Sequence, residues 1–227
     1  GAVSIEEFCE RGYLPQALLN FIALLGWNPG DDREVLSLEE MVHEFRFERV
    51  SKSGAVFDRE KLNWMNQQYL LKLPQEEYFR MIDDVIQKGD YYNQDSGKIR
   101  QAAEILKTRL VTLSDLNQKL GLFFEENPEI KDLQAIEVLK EENSKTVLKE
   151  FLQQAENLDQ LTSENLGQLV KSVQKTTGIK GRDLWMPLRC AITREVSGPE
   201  LPAMLDLFGG EKFLHLIRQA LENPSLN

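Results

Sequence analysis

The sequence predicts a mostly α protein: a small mixed module over residues 1–73, then two α-helical bundles over 74–128 and 129–227. Three observations carry this. Apolar residues recur at three and four positions through most of the chain. Capping residues stand ahead of those runs. The 227 residues, 41% of them hydrophobic, suffice to bury the core of one large or two to three small domains.

The elements follow in order. Leu18, Phe21, Ile22 and Leu25 mark a helical stripe, with Pro15 suited to its first turn and Gly26 to its end. Ser37 can cap the next helix and Glu40, three residues on, completes a capping box. Asp58 caps a third helix, which carries Leu62, Met65, Tyr69 and Leu70. Extended pieces are expected at Ala2-Val3-Ser4 and Phe47-Glu48-Arg49-Val50, and they make the first module mixed. Leu73-Pro74 is a break, because the residue before proline is pushed out of helical geometry. Beyond it the pattern predicts helices over 76–88, 96–106, 113–120, 132–142, 144–155, 163–177, 181–193 and 201–221. Thr112-Leu113-Ser114 supplies a cap for the third of these and Thr162-Ser163 for the sixth. Asn127-Pro128 divides the region in two.

Composition excludes several classes. Cys9 and Cys190 show no framework spacing, so a reducing compartment and two buried small hydrophobes are expected. No apolar run approaches the ~20 residues of a membrane span, and the expected setting is cytoplasmic, or organellar in a eukaryote. His43 and His215 lack the spacing of a metal site, no Gly-rich phosphate loop or Ser-His-Asp arrangement occurs, and Ser51-Lys52-Ser53-Gly54 reads as a plain turn. The chain starts Gly1-Ala2-Val3 without Met and reads as a fragment of something longer or a processed product.

The net charge of −10 is unevenly placed. Residues 120–164 hold eleven acids against four lysines, whereas 165–219 hold eight bases against five acids and 98–119 hold five against two. That pattern fits one RNA-facing surface with a solvated back, or ordinary surface patterning.

Three arginines, Arg182, Arg189 and Arg194, lie in the segment 181–201. Arg189 sits between Leu188 and Cys190 behind Pro187, and a turn Gly198-Pro199-Glu200-Leu201 follows, with Pro199 suited to opening a new helix. An arginine held by packing on both sides presents its planar fork rigidly, which suits phosphate or base recognition. This segment closely resembles the C-terminal end of bacterial-type glutamyl-tRNA synthetases, where a Pro-Leu-Arg run and a small-Pro-x-Leu turn line the anticodon pocket. Gly12-Tyr13-Leu14-Pro15-Gln16-Ala17-Leu18-Leu19-Asn20, continuing to Leu24-Leu25-Gly26-Trp27, resembles the family's segment after its second ATP-site signature. Phe57-Asp58-Arg59-Glu60-Lys61-Leu62-Asn63-Trp64-Met65-Asn66-Gln67-Gln68-Tyr69 matches at the expected distance.

The resemblance implies a stem-contact module over 1–73 and two anticodon-binding modules over 74–128 and 129–227. It implies glutamate tRNA as partner, a monomer, and a parent ligase using ATP and Mg. It places that family's ATP signatures upstream of Gly1, so no catalytic residue, cofactor or metal site is expected within these 227 residues.

It sets Arg109 against the third anticodon base, where a guanidinium favours the acceptor edge of cytosine. Arginine here resembles synthetases that reject glutamine tRNA. From the residues alone, Arg109 is a solvated helix residue. The resemblance sets Arg189 against the first anticodon base, with Gly198, Pro199 and Leu201 beside it and Arg109 as the opposite wall. Alternatively, Arg189 pairs with Glu195 or Glu200. Some family members carry a hydroxyl residue where this chain has Gly198, so only backbone groups remain there. Lys61, Trp64 and Asn66 are candidate stem contacts: Lys61 and Trp64 share a helix face, and Trp64 stacks on RNA or packs in the core. Two rivals stay open: a stand-alone tRNA-binding accessory protein, and a helical adaptor using the acidic block.

Overall fold

The computed structural model describes residues 4–51, 54 and 56–223. Among them are twelve α-helices and an isolated antiparallel bridge between Trp27 and Val50. Mostly α is therefore the fold class. By contacts the chain forms two interleaved units, residues 1–94 with 106–119, and 95–105 with 120–227.

The first unit holds α1 (Ile5–Glu10), α2 (Pro15–Gly26), α3 (Leu38–Glu44), α4 (Arg59–Lys72) and α5 (Gln75–Gln87). Helix α1 was not foreseen, since its six residues bury only Phe8 and are too short for a period to show. Helix α2 begins at Pro15 and ends at Gly26 as expected. The capping box forms in α3: Glu40 N–H donates to Ser37 Oγ at 3.1 Å and Ser37 N–H to Glu40 Oε2 at 2.8 Å. Asp58 caps α4 through Lys61 N–H at 3.1 Å. Phe8, Tyr13, Leu18, Phe21, Leu62 and Met65 form one apolar cluster, and Trp27, Leu36 and Met41 another.

Two expectations for this unit are corrected. Phe47–Arg49 is a 3-10 turn, closed by Val50 N–H donating to Phe47 O at 3.2 Å, and only Val50 joins the bridge. Phe47 is 82% exposed, so its aromatic alternation meets no sheet face to bury against. Cys9 is exposed rather than buried. The expected strand at Ala2-Val3 and the turn at Lys52-Ser53 lie outside the described residues.

The division between units falls within α6 (Ser96–Leu106) at residues 105 and 106 and within α7 (Asp115–Phe124) at 119 and 120. It follows neither Leu73-Pro74 nor Asn127-Pro128. Long-range hydrogen bonds assign 106–119 to the first unit: Leu113 N–H donates to Gly12 O at 3.1 Å and Gln67 Nε2 to Thr108 O at 3.0 Å. Helix α7 starts two residues later than expected, because the Asp115 carboxylate accepts Val111 N–H at 2.9 Å and Thr112 N–H at 2.8 Å. The cap thus runs from the helix back to the loop.

The rest of the second unit is α8 (Leu133–Lys140), α9 (Glu142–Ala155), α10 (Ser163–Thr177), α11 (Arg182–Thr193) and α12 (Leu201–Glu222). The helix expected over 132–142 stops at Lys140, since Glu141 is extended with ψ 138° and α9 begins after it. Thr162 caps α10 and Gly178 ends it in the left-handed region. Helix α12 bends at Gly209, whose φ of 76° and ψ of 161° suit only glycine. Helix α11 packs on α8, α9 and α12, burying Leu184, Leu188, Ala191 and Ile192.

Candidate nucleic-acid interface

Arg189 lies on α11, one turn after Trp185, which is 43% exposed. Pro187 lies between them and supplies no N–H to the carbonyl of Asp183, which is in the exposed first turn. Arg189 Nη1 donates to Gly198 O at 2.6 Å and to Pro199 O at 3.2 Å, while Nη2 stands 3.8 Å from Glu200 Oε2. The sequence left open whether Glu195 or Glu200 would be the partner; it is Glu200. The side chain remains 24% exposed. Both protons of Nη1 are spent on the turn, and Nε and Nη2 make no hydrogen bond among the described residues. The guanidinium thus fixes the turn and keeps donors for an acceptor.

Gly198 is required by space. A Cβ there would stand 2.2 Å from Thr193 Cβ, closer than any real contact. Thr193 is held in turn, its Oγ1 lying 2.9 Å from the carbonyls of both Arg189 and Glu195. A hydroxyl-bearing side chain is therefore excluded at 198 in this chain. Pro199 is buried and Leu201 is 3% exposed, so both back the turn. The expectation that Pro199 opens the helix is corrected: α12 starts at Leu201 with Glu200 extended at ψ 132° and a proline, Pro202, in the first turn.

The sequence missed Asp132. Its Oδ2 accepts Val196 N–H at 2.9 Å while its Oδ1 accepts Gln134 N–H at 2.9 Å, so one carboxylate caps α8 and tethers the loop leading to Gly198. The Val196 N–H is the largest cause holding this carboxyl below its ordinary range, followed among lowering influences by the N–H groups of Gln134 and Ala135. An Asp before a helix signals a cap, but nothing local signals the second bond. Burial pushes the Cys190 thiol, on α11 beside Arg189, up to about 12, which leaves it an inert core group.

Arg109 ends a 3-10 turn, Lys107–Arg109, and is half-buried. Its neighbours fix that turn. Lys107 Nζ donates to Leu73 O at 3.0 Å and sits 4.8 Å above the Tyr78 ring, and Leu110 is fully buried. Asn66 Nδ2 donates to Val111 O at 2.5 Å, and Asn66 Oδ1 accepts Leu14 N–H at 2.8 Å. Asn66 is 0% exposed, so its amide joins α4 to two loops and presents nothing to an outside partner. Lys61 Nζ stands 2.5 Å from Glu34 Oε1, and Trp64 is 43% exposed. Among the described residues no group of three His, Cys, Asp or Glu side chains could hold a metal ion, and no helix is long and apolar enough to cross a membrane.

Comparison with known proteins bears on this geometry. Residues 65–221 match the family model of the anticodon binding domain, and residues 1–64 match that of the catalytic domain of class I tRNA synthetases (E and Q). A glutamate–tRNA ligase of Finegoldia magna is 35% identical over 221 residues, covering 96% of this chain and 45% of that protein. One from Latilactobacillus sakei is 38% identical over 222 residues, with the same 96% and 45% coverage. The crystal structure of a glutamate tRNA ligase from Elizabethkingia meningosepticum, in complex with its amino acid, superposes with a TM-score of 0.71 at 29% identity, over 95% of this chain and 42% of that one. The glutamate-tRNA synthetase of Elizabethkingia anophelis gives 0.68, also at 29% identity and the same coverage. The chain spans about half the length of the curated relatives it matches. It belongs to the anticodon-binding-domain family and is related along nearly its whole length to glutamate–tRNA ligases.

Proposed function

We propose that this chain is the tRNA-recognising part of a glutamate–tRNA ligase. It binds the inner elbow and the anticodon stem-loop of glutamate tRNA, and so places the acceptor end for ATP- and Mg-dependent glutamylation elsewhere in a longer protein. No residue of this chain is given a catalytic role; its contribution is orientation, which lowers a barrier without a reacting group. The observation that carries the reading is the Arg189 clamp. A guanidinium that closes the turn at Gly198 and Pro199, with Nε unbonded and Nη2 ion-paired at 3.8 Å only to the exposed Glu200, suits a base edge or phosphate beside that turn.

In this reading Arg189 meets the first anticodon base, with backbone groups of Gly198 and Pro199 beside it and Leu201 behind, and Arg109 meets the third. Lys61 and Trp64 contact the stem, and Asn66 holds the helix that carries them. Residues 1–73, 74–128 and 129–227 act as the stem-contact module and two anticodon-binding modules. The protein works as a monomer in the cytoplasm. Fluorescence titration of the chain with glutamate tRNA and with an unrelated tRNA over a salt series tests this. Preferential, salt-weakened binding to glutamate tRNA is expected; no binding at low salt overturns it.

A further inference from the structure

Arg194 is a cation buried without a counter-charge. It follows the last residue of α11 with φ 62°, the sole positive φ outside glycine among the described residues, and it is 5% exposed. A non-glycine residue held in the left-handed region stores local strain. Its hydrogen-bond partners are neutral: the Leu216 carbonyl, 3.5 Å from Nη1, and the Gln219 side-chain oxygen, which accepts from Nη2. Nε is buried with no partner. No carboxylate offsets the burial that lowers this guanidinium to about 10.

A second cation lies close by. Lys212 Nζ donates to Phe123 O at 2.6 Å and Glu125 O at 2.9 Å, and its pKa is lowered first by burial and then by Arg194. A buried charge with neutral partners is costly and is normally matched by an opposite charge. Beside Arg194 a cleft of about 300 Å³ opens, lined also by Asn127, Glu129, Gln219 and Asn223. Glu129, the carboxylate of that lining, is exposed and paired with Lys131 at 3.8 Å.

We infer that this cleft is an oxyanion site, in which a phosphate group enters between the 127–130 loop and α12 and is held by the Arg194 fork with side-chain amides around it. Phosphate suits this guanidinium because its hydrogen-bond partners are neutral and Nε has none, so an oxyanion in the adjoining cleft supplies the missing counter-charge. The group is either free phosphate or a backbone phosphate of bound RNA; only the second source rests on the tRNA-binding reading.

The test is a titration of the whole chain with inorganic phosphate, against chloride at matched ionic strength, following the side-chain amide resonances of Asn127, Gln219 and Asn223, which every variant keeps. A saturable shift of those resonances is expected. Arg194→Gly should stay folded, since glycine suits φ 62°, and lose the response. Arg194→Lys keeps the charge but not the planar guanidinium and should bind phosphate about tenfold more weakly. A wild-type response no greater than chloride's, as a water-filled cleft would give, overturns the inference, and so does an unchanged response in Arg194→Gly.

Glutamate tRNA then separates the sources. Phosphate that competes with tRNA in the wild type but not in Arg194→Gly identifies an RNA phosphate, and a saturable phosphate response that tRNA leaves untouched identifies the free ion. Failure to bind phosphate beside intact tRNA binding would sink the site and leave the proposed function standing.

Discussion

The turn that carries Arg189 and the turn that carries Arg109 are held in place by opposite means. At Gly198-Pro199 the side chain proposed to recognise RNA is itself the bolt: Nη1 of Arg189 ties the two carbonyls, Thr193 fills the space beside Gly198, and Asp132 tethers Val196. At Lys107–Arg109 the bolts are neighbours: Lys107, Gln67 and Asn66 hold the backbone from Leu73 to Val111, and Asp115 closes the loop. Changing Arg189 therefore alters shape and recognition together. At the second turn, residues other than the one proposed to read a base hold the backbone, so shape can be altered without changing that residue.

The strongest way to break that comparison is Asn66→Ala. It leaves the buried Leu14 N–H and the part-buried Val111 O without their partner, at about 1–3 kcal/mol each, so a loss of about 2–6 kcal/mol in chemical denaturation is expected. A loss under about 1 kcal/mol would show that Asn66 is not what holds the Arg109 turn. Gly198→Ala comes next. The added methyl must displace Thr193, an overpacking that costs about 1–3 kcal/mol. Affinity for glutamate tRNA should fall with it, while the Arg109 turn, and any selectivity it confers, is untouched.

Asp132→Ala should cost about 1–2 kcal/mol, one helix cap and one loop tether. This effect carries a pH signature with a definite sign. The folded carboxyl is held below its unfolded range, so its stabilisation is present above roughly pH 4, the ordinary aspartate value, and is lost as pH falls through the lower folded value. The gap in Tm between wild type and Asp132→Asn should be constant above about pH 5 and close towards pH 3. A gap that persists at pH 3 would mean that the carboxylate's charge does not hold the loop.

The two turns also differ in how much of them the sequence discloses. Helices α2 and α10 could be read to their ends and α3 at its start, because Pro15, the Ser37–Glu40 box and Thr162 act within one helical turn. Arg189 and its turn could be singled out for the same reason: an arginine between Leu188 and Cys190 and a Gly-Pro pair are local signals. What escaped acts over distance. The Asp132 carboxylate reaches Val196 across 64 positions and Asn66 reaches Val111 across 45, and neither residue type announces such a bond. The Asn66–Val111 bond, with those of Leu113 to Gly12 and Gln67 to Thr108, explains why residues 106–119 join the first unit although sequence breaks at 73 and 128 mark neither of its limits. Phe47–Arg49 escaped in the other direction: its alternation is that of a strand, but a strand needs a partner, and only Val50 finds one.

Arg109→Gln should have the smallest effect on stability and the clearest on choice. The backbone of the turn is also held by Gln67, Lys107 and Leu110, which the substitution leaves in place, so a change on the order of 0.5–1 kcal/mol is expected in denaturation. Recognition is another matter. A guanidinium offers only donors, whereas the glutamine amide offers a donor and an acceptor and so tolerates a base edge that the arginine disfavours. Made in a full-length ligase and assayed by charging glutamate and glutamine tRNAs side by side, the variant should narrow the ratio of the two kcat/KM values by about tenfold, the equivalent of one bidentate base contact. An unchanged ratio would remove Arg109 from the reading, provided that the denaturation midpoint of the same variant shows it folded.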